Sequence, residues 1–273
     1  MYKNVNNHKW ATTIAAGVLS LVCCAGSAWA AFATYDEAVK AAQQSAKDTR
    51  YEEARASYTE ALGLVANASQ KQTAQMGIAA TYASESKFTE ARAEYSKVLT
   101  MDGMRPAAKA AAQLAIARTY VSEKKQTEGR SEYAKILTME GAPASSKVAA
   151  QVAIAQSFQT EKNFETARTE FGKVLVMEGA PPAQKGTAHM AIGQSYLTEK
   201  KYPQARDGFT KVLAIEKLPV ASLATAQLNI GITYQSEKNY AEARTALQKV
   251  VDMADVPEGI KKRAEAMLAA LPK

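Results

Sequence analysis

Chemistry needs a nucleophile, a base or a metal ligand held in place, and this sequence offers few of them. Of its two histidines only His189 lies beyond the first ten residues, and both cysteines, Cys23 and Cys24, fall within the first thirty. No phosphate-loop, H-E-x-x-H, G-x-S-x-G or calcium-loop spacing occurs. His189 stands in a column otherwise filled by Gln75, Gln113, Gln151 and Gln227, so it reads as a polar packing residue rather than a base or ligand. The expectation is a protein that is not an enzyme, with no cofactor and no bound metal.

What the chain does repeat is cations. Arg55, Arg92, Arg130, Arg168, Arg206 and Arg244 form one column, and Lys97, Lys135, Lys173, Lys211 and Lys249 another. They make either a basic ridge for an anionic polymer or membrane surface, or a solvated helix face. Glu94, Glu132 and Glu170 precede their lysines by three residues and Asp207 precedes Lys211 by four. That acid-before-base order stabilises a helix by about 0.2–0.5 kcal/mol per pair, which favours the solvated face. The net charge of +7 includes no run of five or more Lys/Arg, so it speaks for solubility and against nucleic acid as a partner.

The first thirty residues differ from the rest. Lys3, His8 and Lys9 come without an acid, Ala11 to Ala25 is uncharged and apolar, and Ala28-Trp29-Ala30 is a small-x-small exit. This is the anatomy of a secretory signal peptide cut between Ala30 and Ala31. Lipidation at Cys24 and an uncleaved anchor remain alternatives. The first would need Cys23 where lipoprotein signals resemble one another in having Gly, Ala or Ser; the second would need roughly 20 apolar residues. Cleavage would leave a periplasmic or secreted protein without a thiol, folded by packing alone and associated with a membrane, if at all, without spanning it. Residues 1–30 are thus the leader and 31–273 the mature domain.

Within the mature domain the elements that position the cations repeat every 38 residues. Ala74, Ala112, Ala150, Ala188 and Ala226 head the copies; Ile78, Ile116, Ile154, Ile192 and Ile230 follow four residues on; Tyr82, Tyr120, Phe158, Tyr196 and Tyr234 come four after that. The second half of each copy has Phe88, Phe164, Tyr202 and Tyr240 in one column, Ala91, Ala167, Ala205 and Ala243 in the next, then Tyr95, Tyr133, Phe171 and Phe209. Apolar residues three or four apart predict two amphipathic helices per copy and no strand. Glu-Lys-Asn-Phe and its variants are the turns, with Asn163 and Asn239 suited to a left-handed backbone. Met-Glu-Gly-Ala-Pro, at 139–143 and 177–181, reads as the joint between hairpins: Gly141 and Gly179 stop one helix, and Pro143 and Pro181 start the next.

This text resembles the tetratricopeptide repeat family, from Tyr35 to about Ala270. The resemblance implies an all-α, right-handed solenoid of stacked antiparallel helical hairpins. Its units are 35–71, 72–109, 110–147, 148–185, 186–223 and 224–261, with a capping helix at 262–273. The family's tryptophan column is glutamine or His189 here, its turn glycine is Ser86, Lys124, Lys162, Lys200 and Lys238, and the unit exceeds the usual length of about 34 residues. Long units of this kind are similar to those of periplasmic and outer-membrane-associated bacterial members.

In this family the concave wall is lined by the first helices, and it takes a protein or peptide partner. The matching positions here are Met76, Leu114, Val152, Met190 and Leu228, then Ala80, Arg118, Gln156 and Gln194, then Gln159 and Gln235. The expected function is that of a scaffold binding a protein segment along this groove; the Arg/Lys columns give the alternative of an anionic polymer or membrane surface. The unit 110–147 is the poorest, with Gln126 for the turn aromatic and Gly129 for the helix alanine, a glycine costing about 1 kcal/mol in a helix interior. Amide hydrogen exchange is therefore expected to be faster across 124–130 than in the equivalent turns on either side; equal or slower exchange there would refute the ranking.

Overall fold

The structure is a computed structural model describing residues 32–272; the signal segment, its cleavage pair Ala30 and Ala31, and Cys23 and Cys24 fall outside the described residues. The described residues form thirteen helices and no strand. Six hairpins follow one another: α1 (Tyr35–Lys47) with α2 (Tyr51–Gly63), α3 (Ala68–Ser84) with α4 (Phe88–Thr100), and α5 (Pro106–Ser122) with α6 (Gln126–Leu137). Then come α7 (Ala144–Thr160) with α8 (Phe164–Val176), α9 (Pro182–Thr198) with α10 (Tyr202–Leu213), and α11 (Val220–Ser236) with α12 (Tyr240–Asp252). The lone helix α13 (Glu258–Ala270) closes the array, starting before the boundary at 262 drawn from the sequence.

Every helix packs on its sequence neighbours, and each first helix also touches the first helix of the next hairpin, whereas successive second helices do not touch. The first helices therefore line the inside of the array and the second helices splay on the outside. This is an α-solenoid, in which a hairpin with two apolar faces buries the second one only by stacking.

Small residues set the spacing. Ala79, Ala117 and Ala155 of the first helices and Ala91, Ala167, Ala205 and Ala243 of the second are wholly buried, so backbones approach closely and the aromatics fill the space beside them. Phe171 and Phe209 are sealed in, with Val98, Ile136, Val174, Val212 and Val250 forming one buried stripe. Each such aromatic contributes about 1.5–3 kcal/mol.

The turns correct one expectation. The left-handed residue within each hairpin is not asparagine: Lys162 and Lys238 have φ of 60° and 64°, while Asn163 and Asn239, one residue later, have φ of −82°. Thr49, Ser86, Lys124 and Lys200 share that conformation. The backbone dictates the position. In the turn after α7, Lys162 N–H donates to the Gln159 carbonyl and Asn163 N–H to that of Phe158, the pairing that ends a helix with a left-handed residue just past its cap. Asn163 instead caps α8, its side chain accepting from Thr166 N–H. A side chain held there costs about 1 kcal/mol, tolerated because the turn is fixed by packing on both sides.

The joints between hairpins behave alike. Gly141 and Gly179 have φ of 68° and 70° as expected, and where glycine is missing Lys217 and Asp255 adopt 61° and 56°. The conformation is kept although the residue is not. Pro143, Pro181, Pro219 and Pro257 cap the following first helices.

In the third hairpin Gly129 is less a defect than an accommodation: a Cβ there would lie 2.8 Å from Val121 Cγ2 and 3.3 Å from the Ala117 carbonyl oxygen. Gln126 is the weaker point, since its Oε1 is buried without a partner, a burial that costs about 1–3 kcal/mol. Replacing Gln126→Phe, the residue at this position in the hairpins on either side (Phe88 and Phe164), is expected to raise unfolding free energy by about 1–2 kcal/mol in urea titration; an unchanged or lower midpoint would show that the oxygen is solvated.

Candidate functional site

The arginine column is no ridge. Arg92 pairs with Glu123, Arg130 with Glu161 at 2.7 Å, and Arg55, Arg168 and Arg206 with Glu85, Glu199 and Glu237, in every case on the next hairpin. Each guanidinium also lies over an aromatic ring of that hairpin, Tyr82, Tyr120, Phe158, Tyr196 or Tyr234, at 4.2–4.4 Å from its centre. Thr119, Ser157 and Ser195 accept a further N–H from Arg92, Arg130 and Arg168. The arginine side chains are only 12–19% exposed. The expected alternative, a basic ridge or solvated face, is thus corrected for these five: they staple one hairpin to the next. Arg244, the last of the column, donates to the Pro272 carbonyl oxygen instead.

The glutamates are the C-cap residues of the first helices, where the helix dipole disfavours negative charge and the arginine compensates. The hydrogen bond from Arg92 leads in holding the Glu123 carboxyl below its usual range. At Glu85 and Glu199 burial pushes the carboxyl up, but the arginine and its neighbouring lysine outweigh it and the net shift is downward. A carboxyl held low in the folded chain stabilises it at neutral pH, and that contribution is lost as pH falls through the carboxylate range.

Lysines occupy the outside. Lys97, Lys135 and Lys173, more than half exposed, pair with Glu94, Glu132 and Glu170. Those glutamates also take the buried amides of Gln75, Gln113 and Gln151 at 2.5–2.7 Å. The glutamine column therefore ties first helix to second within a hairpin. At His189 the opposing acid is replaced by Gly208, where a Cβ would lie 2.8 Å from the Gly193 Cα, so the backbones of α9 and α10 close up. Burial lowers the His189 pKa, Lys211 adds to that, and Asp207 opposes it, which keeps the imidazole neutral. Among the described residues no three His, Cys, Asp or Glu side chains converge to hold a metal ion. No helix among them is long and apolar enough to cross a membrane.

The inner wall is different in kind. The five first helices α3, α5, α7, α9 and α11 contain no Asp or Glu. Ala80, Arg118, Gln156 and Gln194 are exposed on it, and Met76, Leu114, Met190, Gln159 and Gln235 are half-buried. Val152 and Leu228, expected on the wall, lie in the core at 7% and 2% exposure, packed with Phe171 and with Leu247 respectively.

A groove of 570 Å³ opens between α9 and α11, lined by Met190, Gln194, Gln159, Leu218, Thr187 and Asn229 among others. Three of these were in the expected set; Leu218, Thr187 and Asn229 were not. Asn229 stands in a column of Gly77, Ala115, Ala153 and Ala191, and Leu218 in one with Met104, Ala142, Ala180 and Val256. A polar residue breaking a small-residue column was the available signal for Asn229; Leu218, one of three large residues in its column, carried none.

Residues 224–256, across most of α11 and all of α12, match the family model described as tetratricopeptide repeat. No curated protein matches the chain. Among solved structures it is similar to BtubC (BKLC) from P. vanneervenii, 15% identical with a TM-score of 0.56, covering 89% of this chain and 95% of that one. The apo form of RapI is 16% identical with a TM-score of 0.56 over 87% of this chain and 81% of its own. PilF of Pseudomonas aeruginosa is 14% identical with a TM-score of 0.52 over 85% of this chain and 97% of its own. The fold is thus a solenoid of the tetratricopeptide type. Its sixth hairpin carries the family's text, and the same geometry recurs in the hairpins before it.

The staple can be weighed without its acid. Arg130→Met and Phe158→Leu, made singly and together, are expected to show a coupling of about 1 kcal/mol in urea unfolding; additive effects would mean the stack contributes nothing.

Proposed function

We propose that this chain is a non-enzymatic scaffold of the periplasm or cell envelope that binds a protein segment along the inner wall of its solenoid. The observation that carries this reading is the wall itself. Five successive first helices carry amides, hydroxyls, apolar side chains and a few cations without a single carboxylate, while acids crowd the second helices and turns. A surface of that composition, concave and continuous, suits an extended chain that brings its own main-chain donors and acceptors. Met190 adds an adaptable apolar contact. Export rests on the leader composition of residues 1–30.

The basic-ridge alternative has no comparable support, because five of its arginines are engaged between hairpins. The test is crosslinking of the protein in its own host followed by mass spectrometry. Crosslinks to a partner are expected on exposed wall positions such as Ala80, Gln156 and Gln194, and the double variant Gln156→Glu, Gln194→Glu should lose that partner. Crosslinks confined to the second helices, or a partner retained by the double variant, would sink groove recognition.

A further inference from the structure

The wall carries one guanidinium that no carboxylate of the described residues answers. Arg118 on α5 is exposed, has no carboxylate within ion-pair distance among the described residues, and shares its column with Ala80, Gln156, Gln194 and Ile232. This sets it apart from the second-helix arginines, five of which are bound between hairpins. It also lies beside the buried rings of Tyr95 and Tyr133; burial raises both phenol pKa values and the Arg118 charge acts against that rise, while a side-chain hydrogen bond to the Tyr133 hydroxyl leaves the other guanidinium N–H groups for a ligand. Because α3, α5, α7, α9 and α11 hold no acid, the positive potential at Arg118 is opposed by no carboxylate of those five helices. An arginine in such surroundings is a receptor for a carboxylate, which it grips with two parallel hydrogen bonds.

The second half of the argument is the groove between α9 and α11, with Met190, Leu218 and Gly186 as its apolar floor and Gln159, Gln194 and Asn229 at its sides. Asn229 Nδ2 has only the Met190 sulfur, at 3.5 Å, as its side-chain partner, so its amide is available to a stronger acceptor. Neighbouring first helices touch, which sets their axes about 8–10 Å apart. From α5 to the gap between α9 and α11 is then roughly 20–25 Å, or about six to eight residues of extended chain.

We infer that the segment held by the wall is an extended peptide of a partner protein that places an acidic side chain on Arg118 and a bulky apolar side chain in the groove between α9 and α11, about six to eight residues apart. Gln156 and Gln159, between the two sites along the array, supply main-chain hydrogen bonds. This rests on the groove reading above and specifies the chemistry of its occupant.

The test selects peptides from a random 16-residue display library on the full chain, then measures their binding by fluorescence anisotropy. Enriched peptides are expected to share an Asp or Glu at that spacing from a large apolar residue. Arg118→Gln should weaken them at least about tenfold, Arg118→Glu should shift the enriched residue to Lys or Arg, and Thr187→Trp, which fills the groove from an exposed position, should weaken them as well. Circular dichroism on each variant separates these losses from unfolding. Peptides that depend on Gln156 and Gln194 but ignore Arg118 would overturn this inference and leave groove binding standing. Enriched peptides indifferent to every wall substitution, or no enrichment at all, would overturn both.

Discussion

An arginine lodged between two hairpins is the interaction on which the rest of this structure depends. Each of five guanidiniums leaves the second helix of one hairpin, covers an aromatic ring on the first helix of the next, and ends on that helix's C-cap glutamate. Apolar burial supplies most of the stacking energy, but it is non-directional and would allow neighbouring hairpins to slide. A planar cation held by a ring face and a carboxylate together fixes both the offset and the rotation of one hairpin on another. The buried hydroxyls of Thr119, Ser157 and Ser195 tighten the same point.

Charge is consequently sorted by layer. The second helices and the turns hold the acids and the cations that balance them, while the five first helices from α3 to α11 are free of carboxylates. The sorting leaves the concave wall to amides, small side chains and the lone guanidinium of Arg118. The proposed recognition surface and the staples thus occupy different faces of the same hairpins, and a change on the wall need not disturb the staples.

The helical hairpins and their apolar columns were legible in the sequence because their periodicity is local, three or four residues along one helix. The staples were not, although both partners were in plain view: the acid lies 30 or 31 residues beyond its arginine and inside a stretch read as a turn. The clue was electrostatic, since a glutamate recurring at helix C-termini is unfavourable unless a cation answers it. Asparagine was assigned the left-handed turn by its intrinsic preference, but helix length decided the register and put lysine there. On the wall, one column split between surface and core because Val152 and Leu228 face closer packing than Met76 and Met190, a difference that periodicity does not carry. The groove was half legible, through Met190, Gln194 and Gln159, and its remaining lining depends on joint residues such as Leu218 that have no helical period.

The staples also bear on how such an array can change length in evolution. Since each of the five stapling arginines finds its glutamate in the following hairpin, cutting out or copying a whole 38-residue segment from the interior joins one unit's cation to another unit's acid and leaves none stranded. A duplication that cut a unit well short of its length would leave a desolvated guanidinium facing the wrong residue, whereas a one-residue difference is absorbed, as Arg55 and Glu85 show. The gene is thereby biased to grow and shrink in whole units, which accounts for five copies in register without one insertion.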